Sequence, residues 1–214
     1  MPRNYGLFFV LANKTLTMKK ISLLLALAVI ATAVVQAQTA NFGLKGGLNL
    51  SSWTNNNNAA GYQNRVGFNG GLFAHIPAGT NLAIQPEVVY SSQGTKYTVS
   101  NIEHNLKLNY VNIPVMIQAM VGRGFYAEAG PQVGFLTGTA DKVGDVETDF
   151  FSTSDFKSTD VGVGFGVGYL GTSGLGVGAR YNLGLTNINN SGSNKIRNNV
   201  LQIDLMLGLG GKRY

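Results

Sequence analysis

A glycine-rich stretch contains the first pattern that could do chemistry. Residues 161–180 read VGVGFGVGYLGTSGLGVGAR, and within them Gly166, Gly168 and Gly171 match the G-x-G-x-x-G pattern of a dinucleotide-binding loop. Such a loop must follow a buried strand and open a helix, whose N-terminus meets the pyrophosphate. Here a Thr-Ser-Gly turn and another alternating segment follow Gly171. The pattern therefore predicts strands with a small-residue face, and we expect no nucleotide site.

The two histidines, His75 and His104, are the candidates for metal binding or acid–base catalysis. His75 falls near a short predicted turn and His104 in a long predicted loop, which places them at opposite ends of the strands described below. Neither has an acidic residue or a second histidine at ligand spacing, and the chain has no cysteine. A nucleophilic serine needs a base within hydrogen-bond reach, and only His104 shares an end with the loop serines. We expect ordinary polar residues there, no metal, no cofactor and no enzyme.

An acidic segment, residues 137–159, could bind Ca²⁺ if its carboxylates converged. Its acidic residues, which follow no recognised Ca²⁺-loop spacing, are Asp141, Asp145, Glu147, Asp149 and Asp155, with Asp160 just beyond. The pattern favours a solvated acidic surface loop.

The N-terminal region has the features of an export signal. From Met18, two lysines precede an apolar run, and Val35-Gln36-Ala37 resembles a small-x-small cleavage site. The run is shorter than the roughly 20 residues of a membrane-spanning helix, which is the alternative. We expect residues 1–17 to be an upstream extension, residues 18–37 a cleaved signal peptide and residues 38–214 the mature domain. Removing residues 1–37 takes away four basic residues and no acidic one, which lowers the formal charge from +6 to +2, so the basic composition does not indicate nucleic-acid binding.

Period-2 alternation recurs along the mature chain and predicts eight strands. The alternating segments are residues 41–50, 65–76, 82–92, 106–120, 125–136, 161–169, 175–185 and 200–210. Short turns alternate with long polar connections at residues 51–64, 93–105, 137–159 and 187–199. One face is apolar, and the other is glycine, amides and a few charges, too sparse for the solvated face of a soluble sandwich or lipocalin-like barrel. We therefore predict an all-β, eight-stranded antiparallel up-and-down transmembrane barrel with short periplasmic turns and long extracellular loops.

Six charged residues fall on the small or polar face of these strands, which would line the lumen. They are Lys45, Arg65, Glu87, Glu128, Arg180 and Asp204. Because an unpaired charge in a dry interior costs several kcal/mol, we expect a lumen ion-pair cluster that plugs the barrel. Asp204 should lie between Lys45 and Arg180, with Glu87 and Glu128 available to Arg65 and Arg180. The alternative is a narrow ion path lined by the same residues.

Several segments resemble the PorT-type, porin-like outer-membrane β-barrel family. They are FGLKGGLNLS, GFNGGLFAHI, LAIQPEVVYSSQG, LNYVNIPVMIQ and GFYAEAGPQVGFLTG, within residues 41–210. The Q-P-E-x-x-Y-S-x-x-G and F-Y-x-E-A-G-P-Q segments are the most specific, and Asn112 departs from the family, which often has an acidic residue before the Ile-Pro pair. The resemblance implies an eight-stranded barrel in the outer membrane of a Gram-negative bacterium. One branch of the family is tied to protein secretion and gliding, whereas most members have no assigned activity.

These observations lead to one expectation about function. We expect a structural or surface-interaction role through the long loops, without catalysis. The expected partners are outer-membrane lipid and a protein bound by the extracellular loops, with no nucleic acid and no nucleotide. The alternatives are a small passive channel and a secretion- or gliding-associated PorT-like component.

Overall fold

The described part of the protein is built almost entirely from antiparallel β-strands. The computed structural model describes residues 40–55, 62–99, 102–144, 146–148, 151–190 and 195–209. The strands are β1 (Asn41–Asn55), β2 (Arg65–Pro77), β3 (Leu82–Val99), β4 (Ile102–Val121), β5 (Phe125–Val143), β6 (Val146–Thr148), β7 (Thr159–Leu170), β8 (Leu175–Gly184) and β9 (Ile196–Gly208). The predicted extension and signal peptide, residues 1–37, lie outside the described residues.

Eight of these strands close into a ring. Each strand pairs with its neighbour along the chain, β5 pairs with β7, and β9 returns to pair with β1. The three-residue β6 adds a short hairpin to the end of β5. The predicted eight-stranded antiparallel barrel is confirmed. Closure leaves no free edge in the ring, so the backbone groups of every strand can be satisfied between neighbours.

The apolar residues of the strands face outward. On β9, Ile203 and Leu205 are 62% and 69% exposed, while Gln202 and Asp204, which alternate with them, are buried. This arrangement reverses that of a soluble barrel, whose apolar face points inward. No helix among the described residues has the length and hydropathy needed to cross a bilayer.

The outward apolar band has the height of a membrane. On β4 it runs from Val121 to Val111, and beyond Val111 the outward positions are Asn109, Lys107 and Asn105. Ten residues at about 3.3 Å each span roughly 33 Å along the strand, or about 23 Å in height at a tilt of about 45°. That height is close to the apolar band of about 25 Å on outer-membrane barrels.

The two ends of the barrel differ in their connections. At the short-turn end, residues 78–81, 122–124 and 171–174 join the strands. Each of these turns contains a glycine at positive φ, with Gly79 at 105°, Gly122 at 73° and Gly174 at 83°, which residues with a side chain rarely adopt. The opposite end, called the long-loop end here, contains the remaining connections.

The predicted connection 93–105 is wrong, because strand structure continues through most of it. β3 runs to Val99 and β4 begins at Ile102. Gln93 and Thr95 continue the inward face of β3 and are buried. From Gln93 to Lys96 neither face of β3 is apolar, so apolar alternation disappears although pairing does not. β1, β5 and β9 are also longer than predicted.

Candidate functional site

Five of the six predicted lumen charges form one connected network. Lys45 Nζ lies 3.1 Å from Glu87 Oε2 and 2.9 Å from Asp204 Oδ2. Arg180 donates to Glu87 Oε1 at 2.7 Å and Oε2 at 2.9 Å, and through Nε to Glu128 Oε1 at 2.6 Å. Glu87 therefore joins the two cations, and all five residues are at least nine-tenths buried.

Glycines make room for this network. Glu128, Gly166 and Arg180 lie opposite one another across β5, β7 and β8. A Cβ on Gly166 would lie 2.7 Å from Glu128 Oε1, inside van der Waals contact. Gly47 likewise leaves room for the Asp204 side chain, whose Oδ1 would lie 2.5 Å from an added Cβ. The alternating glycines of β1 and β7 thus leave the space in which long charged side chains from neighbouring strands meet.

Each carboxylate of the network also accepts a hydrogen bond from a side-chain amide. The pairs are Asn69 Nδ2 to Asp204 Oδ1 at 2.9 Å, Gln85 Nε2 to Glu87 Oε1 at 2.9 Å and Gln118 Nε2 to Glu128 Oε2 at 3.0 Å. Sequence reasoning missed these amides, although Gln85 and Gln118 lie on the polar face of their strands. The charges are therefore held by both ion pairs and amide donors, as a buried carboxylate requires.

Arg65 does not join the network. Its Nε donates to Asn105 Oδ1 at 2.8 Å, and its Nη1 donates to Ser92 Oγ and Gln93 O at 3.2 Å each. Ser51, its neighbour on β1, is six residues along that strand from Lys45, or about 20 Å. This separation along the strand keeps Arg65 away from the carboxylates, contrary to the expected pairing.

The expected contact between Asp204 and Arg180 is also absent from the described contacts. In the register of β8 and β9, Asp204 lies opposite Gly178, and Arg180 lies opposite Gln202. Arg180 is therefore displaced along its strand from Asp204, and it reaches Glu87 and Glu128 instead.

One apolar cluster lies toward each end of the barrel. At the long-loop end the cluster consists of Trp53, Leu106, Leu108, Tyr110, Phe156, Ile188 and Ile196. At the short-turn end it consists of Phe73, Tyr126, Leu170 and Met206. Phe156 and Ile188 belong to connections, not strands, and both are buried, which shows that these connections fold over the barrel mouth. In the sequence, the burial of Phe156 and Ile188 is indicated only by each being an apolar residue among polar neighbours.

The predicted solvated acidic loop is wrong for Asp141, which is only 1% exposed and lies on β5. Its Oδ2 lies 3.1 Å from His104 Nδ1 and accepts hydrogen bonds from Thr148 and Tyr97. Burial and the Asp141 carboxylate raise the pKa of Tyr97, so its hydroxyl stays protonated and can donate. Asp145 and Asp149 lie outside the described residues.

His75 is buried inside the barrel at the short-turn end, although the sequence suggested an ordinary polar residue there. Its Nδ1 lies 3.0 Å from Gln118 Oε1. The two histidines do lie near opposite ends, in β2 and β4. Among the described residues, no group of three or more His, Asp or Glu side chains is arranged to hold a metal ion.

Comparisons with known proteins agree with this architecture. The family model described as "Outer membrane protein beta-barrel domain" matches residues 36–190. The solved structure of Neisserial surface protein A is similar with a TM-score of 0.52 at 15% identity, and the match covers 78% of this chain and 97% of that one. Ail, the attachment invasion locus protein of Yersinia pestis, gives a TM-score of 0.40 at 11% identity, with 78% and 99% covered. No curated protein sequence matches significantly.

The family match spans more than half of the chain, and the similarity to Neisserial surface protein A supports the same eight-stranded fold. The outward apolar band and the polar interior are what such a barrel needs in lipid. The chain belongs to the outer membrane protein beta-barrel domain family and is a protein of the outer membrane.

Proposed function

We propose that this protein is a non-conducting barrel of a Gram-negative outer membrane that supports an interaction surface at its long-loop end. The observation that carries the proposal is the layered lumen, in which an ion-pair network lies between two apolar clusters. In this proposal the signal peptide is cleaved before Gln38, the short turns face the periplasm and the long-loop end faces outward. No catalysis is involved.

Three features of the lumen argue against a channel. An eight-stranded barrel has an interior that side chains fill. The charges are paired with each other at 2.6–3.1 Å and do not face an open path. An apolar constriction also excludes water and therefore ions, and here such a cluster covers each end. The polar interior is the feature that favours the passive-channel alternative.

The hydrogen bonds around His104 argue against hydrolysis. A catalytic histidine must accept the proton of a nucleophile. In this cluster the hydroxyls of Thr148 and Tyr97 donate to the Asp141 carboxylate. The histidine and its carboxylate therefore serve to hold β3, β4 and β5 together beyond the apolar band.

The interaction surface is rigid, because strand pairing continues well beyond the membrane band. β3 and β4 pair as far as Val99 and Ile102, and Lys96 bridges to Glu103 at 2.8 Å across the hairpin. A preformed surface loses little conformational entropy on binding. The resemblance to the PorT-type family supports a partner within a secretion or gliding assembly.

Conductance in a planar bilayer tests the proposal of a closed lumen. The wild-type barrel should give no steady conductance, whereas steady single-channel steps from the purified wild type would establish the channel alternative. A variant in which Phe156 and Ile188 are both replaced by alanine opens the long-loop cluster only. It should remain silent, because the ion-pair network still fills the lumen.

Photocrosslinking in living cells tests the interaction surface. A photoreactive residue at Thr98 lies on the exposed β3–β4 hairpin, and one at Thr80 lies in an exposed turn at the opposite end as the matched control. Thr98 should give a discrete adduct that Thr80 does not give. Identical patterns from the two positions would refute a specific surface at the long-loop end. Secretion and gliding of a deletion strain then test the PorT-type role.

A further inference from the structure

The charges of the lumen network do not balance. It contains three carboxylates, Glu87, Glu128 and Asp204, and two cations, Lys45 and Arg180. All five are buried between apolar clusters, where an uncompensated charge is costly. The contacts of Arg65 lie elsewhere along the barrel. One further positive charge near these carboxylates, or a proton on one of them, would balance the network.

Hydrogen-bond directions lead from Glu128 to His75. A carboxylate only accepts, so Gln118 must present its NH₂ group to Glu128, and Nε2 lies 3.0 Å from Oε2. The Gln118 oxygen then faces His75, whose Nδ1 lies 3.0 Å away. Because an amide oxygen accepts and does not donate, Nδ1 must carry a proton. The tautomer is thus fixed by a carboxylate that the ring does not touch.

A second glutamine, Gln85, lies between Glu87 and the His75 ring. Gln85 Nε2 donates to Glu87 Oε1 at 2.9 Å, which leaves the Gln85 oxygen as its acceptor. Gln85 lies beside His75 on the neighbouring strand, between the pairs Phe73–Glu87 and Ile76–Ile84 of β2 and β3, and its buried Oε1 has no hydrogen-bond donor among the described contacts. The second ring nitrogen can serve this oxygen only if it too carries a proton. Both amides therefore present oxygens toward the same imidazole.

We infer that His75 is doubly protonated in the folded barrel and that its imidazolium is the third cation of the lumen. The lumen then contains a binding site for one proton, built from His75, Gln85 and Gln118, and the three carboxylates are balanced by three cations. The other buried titratable groups of the lumen network are Lys45 of β1, Glu87 of β3, Glu128 of β5, Arg180 of β8 and Asp204 of β9, and Tyr126 of β5 is buried in the adjacent apolar cluster. Burial alone disfavours an imidazolium, and the excess carboxylate offsets that cost.

Nuclear magnetic resonance of ¹⁵N-labelled histidine tests this site directly. The whole sequence has only two histidines, so in a His104→Gln variant in lipid nanodiscs the His75 ring gives the only histidine signal. At about pH 7.5, roughly one-tenth of an ordinary histidine is protonated. We expect both nitrogens of the His75 ring to be protonated in nearly all molecules, and a neutral ring after unfolding in urea. A neutral ring in the folded barrel would overturn the inference.

A change of the carboxylate count separates charge balance from ordinary packing. Asp204→Asn keeps the shape but removes the third negative charge, so the imidazolium signal should be lost at a lower pH than in the parent. Glu103→Gln, on the exposed hairpin, should leave the signal unchanged. An unchanged signal in Asp204→Asn would refute charge balance. If that variant does not fold, the spectrum of the His104→Gln parent still tests the inference. A neutral His75 ring together with the signal of a protonated carboxyl would show that the balancing proton is on one of the lumen carboxylates and not on His75.

Discussion

Replacing Arg180 with methionine tests whether the lumen network stabilises the barrel. Methionine fills much of the same volume, so the change removes charge with little new cavity. Arg180 makes three hydrogen bonds of 2.6–2.9 Å to Glu87 and Glu128. Glu87 keeps Lys45 as a partner, but Glu128 keeps only its hydrogen bond to Gln118 among the described contacts. The variant therefore buries a carboxylate without its cation.

The expected cost is large compared with that of a surface pair. Removing one partner of a buried ion pair costs about 3–5 kcal/mol of folding free energy. The matched control is Lys96→Met, which breaks the exposed pair with Glu103, where the two side chains are 34% and 53% exposed. That loss should be about 0–1 kcal/mol. Adding Glu128→Gln to Arg180→Met should restore part of the stability, because it removes the uncompensated charge.

Equilibrium unfolding in urea, with the barrel in lipid vesicles, measures these differences. Trp53 is the only tryptophan of the chain and is buried in the apolar cluster at the long-loop end, so its fluorescence reports unfolding. A loss in Arg180→Met that lies within about 1 kcal/mol of Lys96→Met, the range expected for exposed pairs, would refute the reasoning. It would mean that the lumen charges are hydrated and not dry.

Three further predictions concern other parts of the molecule. Gly168→Ala should destabilise the barrel by about 1–3 kcal/mol, because its Cβ would meet the Tyr126 ring, whereas Gly46→Ala, with a nearest contact at 3.7 Å, should be nearly neutral in the same urea assay. Phe156→Ala should shift Trp53 emission to longer wavelength, because the two rings lie 5.7 Å apart and water would enter the cluster; an unchanged spectrum would mean that the connection does not cover the mouth in solution. Intact-mass measurement of the outer-membrane form should give a chain that begins at Gln38, and retention of residues 18–37 would contradict the predicted cleavage.

The sequence determined the strands and the two faces of the barrel. Alternation with period 2 is a local property, because successive side chains point to opposite faces whatever the strand pairs with. The glycines and valines from Val161 to Gly168 therefore predicted β7 and excluded a nucleotide loop. The sparse polar face of β9 around Asp204 likewise predicted that the polar side faces inward.

Only the tertiary structure decided which residues meet inside the barrel. Arg65 and Lys45 both lie on polar faces, but strand register places them about 20 Å apart along the strands, and no local pattern contains that register. Gln93 and Thr95 continue a strand that looked like a loop, because pairing persists where both faces are polar. Alternation places His75 on the inward face with Arg65, but its partner Gln118 comes from another strand. Phe156 and Ile188 belong to connections, so their burial depends on the closed ring and not on their sequence neighbours.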